Sequence, residues 1–212
     1  MAAQLKIDFI SDVSCPWCAI GLASLEHALD RLGDEVSAQI HFQPFELNPQ
    51  MPAVGRNTVD YLAEKYGRTP EQLKQNSDAI RARGAEVGFV FGGRERVYNT
   101  FDAHRLLHWA GLEGRQIQLK HALLEAYFTD GKDVSAHDVL VQVASQAGLD
   151  AQQAQEVLAS GAYADEVREQ EQQQHKQGIN SVPAIIINDR HLIQGGQTVE
   201  VFEQALREIS GI

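Results

Sequence analysis

The sequence predicts an α/β fold in which a large all-helical block interrupts a small sheet-bearing domain. Three observations predict it. The chain opens in the order strand, helix, strand; seven segments of helical periodicity then follow one another; and a short strand pair with an amphipathic helix closes the chain. The division expected is a discontinuous α/β domain of residues 1–50 and 160–212 around a helical insertion of residues 51–159.

Each element has its local reason. Leu5 to Ile10 alternates, with Leu5, Ile7 and Phe9 on one face, and reads as a strand. Ser11-Asp12-Val13-Ser14 is a turn signal. From Pro16, apolar residues at Ile20, Ala23, Leu25, Ala28, Leu29 and Leu32 recur at helical spacing; Pro16 suits the first turn and Gly33 stands just past the end. Val36 to Phe45 alternates again and runs into the proline-bounded loop Pro44-Phe45-Glu46-Leu47-Asn48-Pro49. Helices are expected over Val59 to Tyr66, Pro70 to Val87, Thr100 to Ala110, Gly114 to Phe128, Ala136 to Ala147, Ala151 to Ser160 and Tyr163 to Gln177. Asn180-Ser181-Val182-Pro183 ends the block. Ala184 to Asn188 is a buried strand, Asp189-Arg190 a tight turn, and His191 to Gln194 the hairpin partner; after Gly195-Gly196 comes a last helix, Val199 to Ile209.

Composition excludes several classes of function. A chain of 212 residues with 43% hydrophobic content is long and apolar enough to bury a core. A net charge of −11 argues against nucleic-acid partners, which are held by clustered Lys and Arg. No apolar run approaches the roughly 18 residues that a membrane span needs, and the first residues carry no basic region followed by a long apolar segment. The expectation is a cytoplasmic protein with no membrane partner.

Only two cysteines are present, three positions apart, so their use is local. Cys15-Pro16-Trp17-Cys18 places the first sulfur at the start of a helix, where unpaired N–H groups and the helix dipole favour a thiolate. Cys15 is therefore the candidate nucleophile. Cys18, one turn later and less exposed, is the candidate resolving thiol, close enough to form a disulfide with it. Pro16 fixes the backbone between them and Trp17 adds bulk without charge.

Strand, Cys-Pro-Trp-Cys, helix, strand, a helical block, then Ser181-Val182-Pro183 before a strand and a closing helix resembles the DsbA-like thioredoxin superfamily. Pro-Phe-Glu-Leu-Asn-Pro at 44–49 and Asn-Thr-Phe-Asp-Ala-His-Arg-Leu at 99–106 are more specifically similar to its cytosolic FrnE-like branch, related to 2-hydroxychromene-2-carboxylate isomerases. The resemblance implies a thioredoxin-like fold and a thiol–disulfide oxidoreductase. It implies that Pro183 is a cis-proline beside the redox sulfur, and that Val182 offers its backbone to an extended substrate; Pro16, Trp17, Val182 and Pro183 then frame the substrate groove. The partners implied are disulfide- or thiol-containing proteins or peptides. No bound cofactor is implied. With no third cysteine, electrons must come from an external thiol such as glutathione or a thioredoxin. The couple is expected between about −270 and −120 mV, the thioredoxin and DsbA values.

The same residues admit rival readings. The isomerases, and the kappa-class glutathione transferases of similar architecture, typically carry Ser where Cys15 stands, which disfavours a glutathione-dependent isomerase or transferase acting on a small aromatic or polyketide-like molecule. A non-catalytic peptide-binding module is the other rival. Zinc would need two ligands beyond the cysteines; His27 and His41 are donors without matching spacing, and His104 and His108, four apart, lack a completing carboxylate, so no metal site is expected. His104 and His108 are instead expected to line the groove between the helical block and the core or to lie at its surface. Trp109, Tyr127 and Phe128 are read as helix packing, Gly92-Gly93 and Gly195-Gly196 as turns, and Glu169 to Gln174 as a solvated helix face.

Overall fold

The structure is a computed structural model and describes residues 2–212, so Met1 of the expected segment 1–50 lies outside the described residues. A four-stranded mixed sheet has the order β2-β1-β5-β6. Strand β1 (Ala3–Ser11) is central: it runs parallel to β2 (Val36–Pro44), with Ile7 opposite Ile40 and Phe9 opposite Phe42. On its other side β5 (Ala184–Ile187) is antiparallel, Phe9 facing Ile185. The sheet closes with β6 (His191–Gln194), a mostly exposed edge.

A parallel β1–β2 pair needs a crossover, and α1 (Pro16–Leu32) supplies it. Its inner face, including Cys18, Ile20, Leu22 and Leu25, packs in one core cluster with Ile7 and Phe9 of β1 and with Phe202 and Leu206 of the last helix, α9 (Val199–Ser210). Gly33 accepts the positive φ of 50° at the helix end.

Between β2 and β5 lie α2 (Thr58–Tyr66), α3 (Pro70–Glu86), α4 (Phe101–Leu112), α5 (Gln116–Leu124), α6 (His137–Gln146), α7 (Ala151–Ser160) and α8 (Ala164–Lys176). The expected helices are all present, and caps explain several boundaries: Asn57 accepts from Val59 and Asp60, and Thr69 and Gln72 form a capping box around Pro70. The expected helix from Gly114 to Phe128 is modified. It starts at Gln116 and passes after Leu124 into a π turn, Glu125–Thr129. Two-residue strands that the sequence did not signal, β3 (Arg56–Asn57) and β4 (Arg96–Val97), pair within the block; they are too short to carry a periodicity.

Two further expectations are corrected. The β5–β6 turn is made by Asn188 and Asp189, at φ 53° and 56°, rather than by Asp189-Arg190; two consecutive positive φ values make the tight turn whose twist suits a hairpin. The run Glu169 to Gln174 is not wholly solvated. Val167, Glu171 and Gln174, at helical spacing, face inward and are buried, and Glu171 reaches Arg168 at 2.8 Å.

The helical block also covers the free edge of β2. The Gln116 side chain accepts from Phe42 N at 2.9 Å and donates to Phe42 O at 3.1 Å, taking the hydrogen bonds that a neighbouring strand would have made. Arg105, buried on α4, donates to Ala162 O at 2.8 Å and to Val157 O, tying α4 to the end of α7.

Candidate functional site

The two cysteines sit where the sequence places them. Cys15 is the N-cap of α1, extended at φ −94°, ψ 112°, and its carbonyl accepts from Cys18 N at 3.1 Å as the first turn closes. Pro16 occupies the first helical position, where its missing N–H costs nothing. Both cysteines are free thiols and both are buried, Cys15 3% exposed and Cys18 0%. Trp17 between them is 39% exposed.

The Val182–Pro183 peptide is cis, and the Cys15 thiol lies 3.7 Å from the Val182 carbonyl oxygen. Residues 167 positions apart in sequence are thus brought to one point. Two glycines allow it. A Cβ on Gly196 would stand 2.7 Å from Trp17 O, and one on Gly21 would stand 3.2 Å from Pro183 Cγ, so the segment after β6 can lie against the first turns of α1 only because both positions lack a side chain. Gly195 N donates to Pro183 O at 2.8 Å and fixes the same segment.

Behind the sulfurs lie charged groups that sequence reasoning did not single out. Asp12, in the β1–α1 loop, is fully buried; its carboxylate accepts from Ser14 N (3.2 Å), Ser14 Oγ (2.9 Å) and Leu47 N (2.7 Å). Burial pushes its pKa up, but His104, the Leu47 N–H and Thr100 outweigh this and hold it at about 2. His104 is buried rather than at the surface, with Nε2 3.4 Å from Asp12 Oδ1. His108 stacks on Tyr163 with ring centroids 5.1 Å apart. Lys120 of α5 is also fully enclosed, which lowers its pKa, while Cys18, Asp12 and Cys15 oppose the shift. Burial and the neighbouring Cys15 sulfur push the Cys18 thiol well up, and the Lys120 charge and the Asp12 backbone work against them.

Arg94 borders the front. Its guanidinium lies 3.4 Å from Ser14 O and 3.1 Å from Tyr127 Oη, over the Tyr127 and Phe128 rings. Tyr127 and Phe128 are core residues as expected, yet the Tyr127 hydroxyl also joins Arg94 to the site. The π turn at Glu125–Thr129 holds the Arg94 loop, since Gly92 N donates to Phe128 O at 2.8 Å and a Cβ on Gly92 would meet Thr129 O at 2.2 Å. Arg94 and Pro16 share a cavity of about 660 Å³ walled by α2 and α3, with Leu73 and Ile80 among its apolar residues. His27 and His41 are exposed, and among the described residues no group of three or more His, Cys, Asp or Glu side chains is placed to hold a metal ion. No described helix is long and apolar enough to cross a membrane.

A cysteine pair at a helix N-terminus, set against a Val-Pro segment at one end of a mixed sheet, defines a thioredoxin-type fold with a helical block between its two halves. The chain belongs to the DSBA-like thioredoxin domain family, which matches residues 6–207. A solved protein of Streptomyces coelicolor described as a "probable DsbA oxidoreductase" is similar over 98% of this chain and 90% of its own, at 35% identity and a TM-score of 0.92. Two more distant structures share the fold. The cytosolic disulfide reductase DsbM of Pseudomonas aeruginosa, solved with GSH, matches 98% of this chain and all of its own at 15% identity and TM-score 0.65. A 2-hydroxychromene-2-carboxylate isomerase matches 96% of this chain and 95% of its own at 17% identity and TM-score 0.68.

Proposed function

We propose that this protein is a cytoplasmic thiol–disulfide oxidoreductase that reduces or isomerises disulfides of protein or peptide substrates through Cys15-Pro16-Trp17-Cys18. The carrying observation is the juxtaposition of the Cys15 thiol, at the N-cap of α1, with the Val182 carbonyl 3.7 Å away. An extended peptide lying along Val182 would present its sulfur to Cys15, between the exposed Trp17 and the cavity beside Pro16.

In that reading the Cys15 thiolate attacks one sulfur of a substrate disulfide; a Cys15–substrate bond forms, the substrate S–S bond breaks, and the leaving thiolate takes a proton from water. Cys18 then loses its proton and attacks Cys15, closing the internal disulfide and releasing the second substrate thiol. An external thiol, glutathione or a thioredoxin, reduces the pair again; no bound cofactor takes part. The cytosolic reductase of similar fold solved with GSH supports glutathione as that thiol. A reducing cytosol favours reduction or isomerisation over net oxidation.

The test is reduction of insulin disulfides with glutathione as electron source by wild type, Cys15→Ser and Cys18→Ser. Turnover by wild type, lost in Cys15→Ser, supports the reading. Undiminished activity in both variants contradicts it, and glutathione-dependent conversion of a small aromatic substrate that survives Cys18→Ser would put an isomerase or transferase in its place.

A further inference from the structure

A second cavity, of about 340 Å³, lies between the edge of β2 and helices α4, α5 and α8. Its size is that of a small-molecule site. The buried residues Phe42, His104, Leu107 and Lys120 make its floor, and the exposed Lys6 and Leu112 stand at its mouth. Among the described residues that line it there is neither cysteine.

Lys120 is the unusual element of that floor. It sits on the buried stripe of α5 with Leu119, Leu123 and Leu124 and is fully enclosed. Its Nζ stands 5.6 Å from the centroid of the Phe42 ring, another floor residue, and among the described residues it makes no hydrogen bond. An ammonium held out of water without a partner is strongly unfavourable, and an apolar side chain of similar length would fill the same space. A charge so placed calls for an anion.

The carboxylates nearby are engaged elsewhere. Asp8, the acidic residue of the lining, is taken up by Lys6 at 3.1 Å and by Gln43 at 2.8 Å. Asp12 stands on the far side of His104, 3.4 Å from its Nε2 and outside the lining, and accepts from Ser14 and Leu47. Two lysines against one aspartate leave the lining with an excess of positive charge, in a chain whose net charge is −11. His108, held by its stack on Tyr163, and Gln170 add polar groups to the helical wall, while buried Leu107 and Pro44 and exposed Leu112 give an apolar path to the mouth.

We propose that the cavity behind β2 is a binding site for a small organic carboxylate, whose anionic head meets the Lys120 ammonium and whose short apolar body lies along Leu107 and Pro44. One buried cation matches one negative charge, and the apolar wall offers nothing to the further oxygens of a free phosphate. Enclosure makes the charge-assisted contact stronger than the same pair in water. The site does not depend on the redox reading of Cys15 and Cys18.

Titration calorimetry tests it, with benzoate as the probe and benzyl alcohol and inorganic phosphate for comparison. Benzoate should bind wild type as one molecule per chain with a Kd of about 1 mM or tighter, and the other two at least about tenfold more weakly. Lys120→Met should weaken benzoate about tenfold or more, the loss of one hydrogen bond between charged groups, and leave benzyl alcohol unchanged. Absence of saturable benzoate binding to wild type overturns the proposal. Benzyl alcohol or phosphate binding as tightly as benzoate overturns it too, as does undiminished benzoate binding to folded Lys120→Met. If that variant does not fold, amide shifts in wild type decide. Benzoate should move the signals of Phe42 and Leu107 and leave those of Trp17 and Arg94; the reverse pattern, which would place benzoate beside the cysteines, overturns the proposal.

Discussion

His104 Nε2 lies 3.4 Å from Asp12 Oδ1, joining the loop that leads into Cys15 to the first half of α4, two segments that are 92 positions apart. Both residues are buried, so the contact links the helical block to the loop before Cys15 without solvent screening.

The Asp12 carboxyl titrates at about 2, below its usual 3.8. A depressed folded-state value gives stability that is complete above the unfolded pKa and is lost as pH falls through the folded one. Relative to Asp12→Asn, wild type should lose on the order of 2 kcal/mol between about pH 4 and pH 2. Urea unfolding of both proteins across that range checks it; parallel curves would show that the Asp12 carboxylate contributes no pH-dependent stability.

Gly196 stands where a methyl group would come within 2.7 Å of Trp17 O. Gly196→Ala should destabilise by about 1–3 kcal/mol and, by moving the Val182 segment from Cys15, slow attack on a peptide disulfide more than on a small one such as Ellman's reagent. Stopped-flow rates for the two substrates and thermal unfolding test this, and equal slowing of both would show that the Val182 segment does not guide the peptide.

Arg105→Met should cost about 3–5 kcal/mol, because the guanidinium's removal leaves the Ala162 and Val157 carbonyls and the Asp102 carboxylate without it. Amide exchange should accelerate in α4 and α7 well before it does in β1. Uniform acceleration would mean that the block and the sheet open together.

Cys18→Ser should trap substrate. With the resolving thiol gone, a Cys15–glutathione adduct formed from oxidised glutathione should persist, whereas wild type should pass on to the internal disulfide. Intact-mass measurement after alkylation reads the difference, and failure of Cys18→Ser to hold the adduct would deny Cys18 its resolving role.

Much of the scaffold was legible. The alternation of β1 and β2, the helical period of α1 with Pro16 at its start, and the succession of helices after residue 57 are local patterns, and local patterns are what sequence displays. The cysteine pair was legible for the same reason. What was missed is non-local. Asp12 reads as a turn residue and Arg94 falls between the expected helices without a signal of its own, because their surroundings come from His104, Ser14 and Tyr127, which no spacing brings together. Lys120 is different. It falls on the buried stripe with Leu119, Leu123 and Leu124, so a charged residue in an apolar face was visible. The break at Leu124 was not, since the π turn is set by the docking of Gly92 against Phe128 O.

Whether Cys15 and Cys18 form a reversible dithiol–disulfide couple is decided by equilibrating the protein in glutathione redox buffers, followed by alkylation and mass measurement. A single two-electron transition with a midpoint between about −270 and −120 mV, abolished in Cys15→Ser, is expected. Two thiols that stay reduced across the whole range, or that form only separate glutathione adducts, would contradict it.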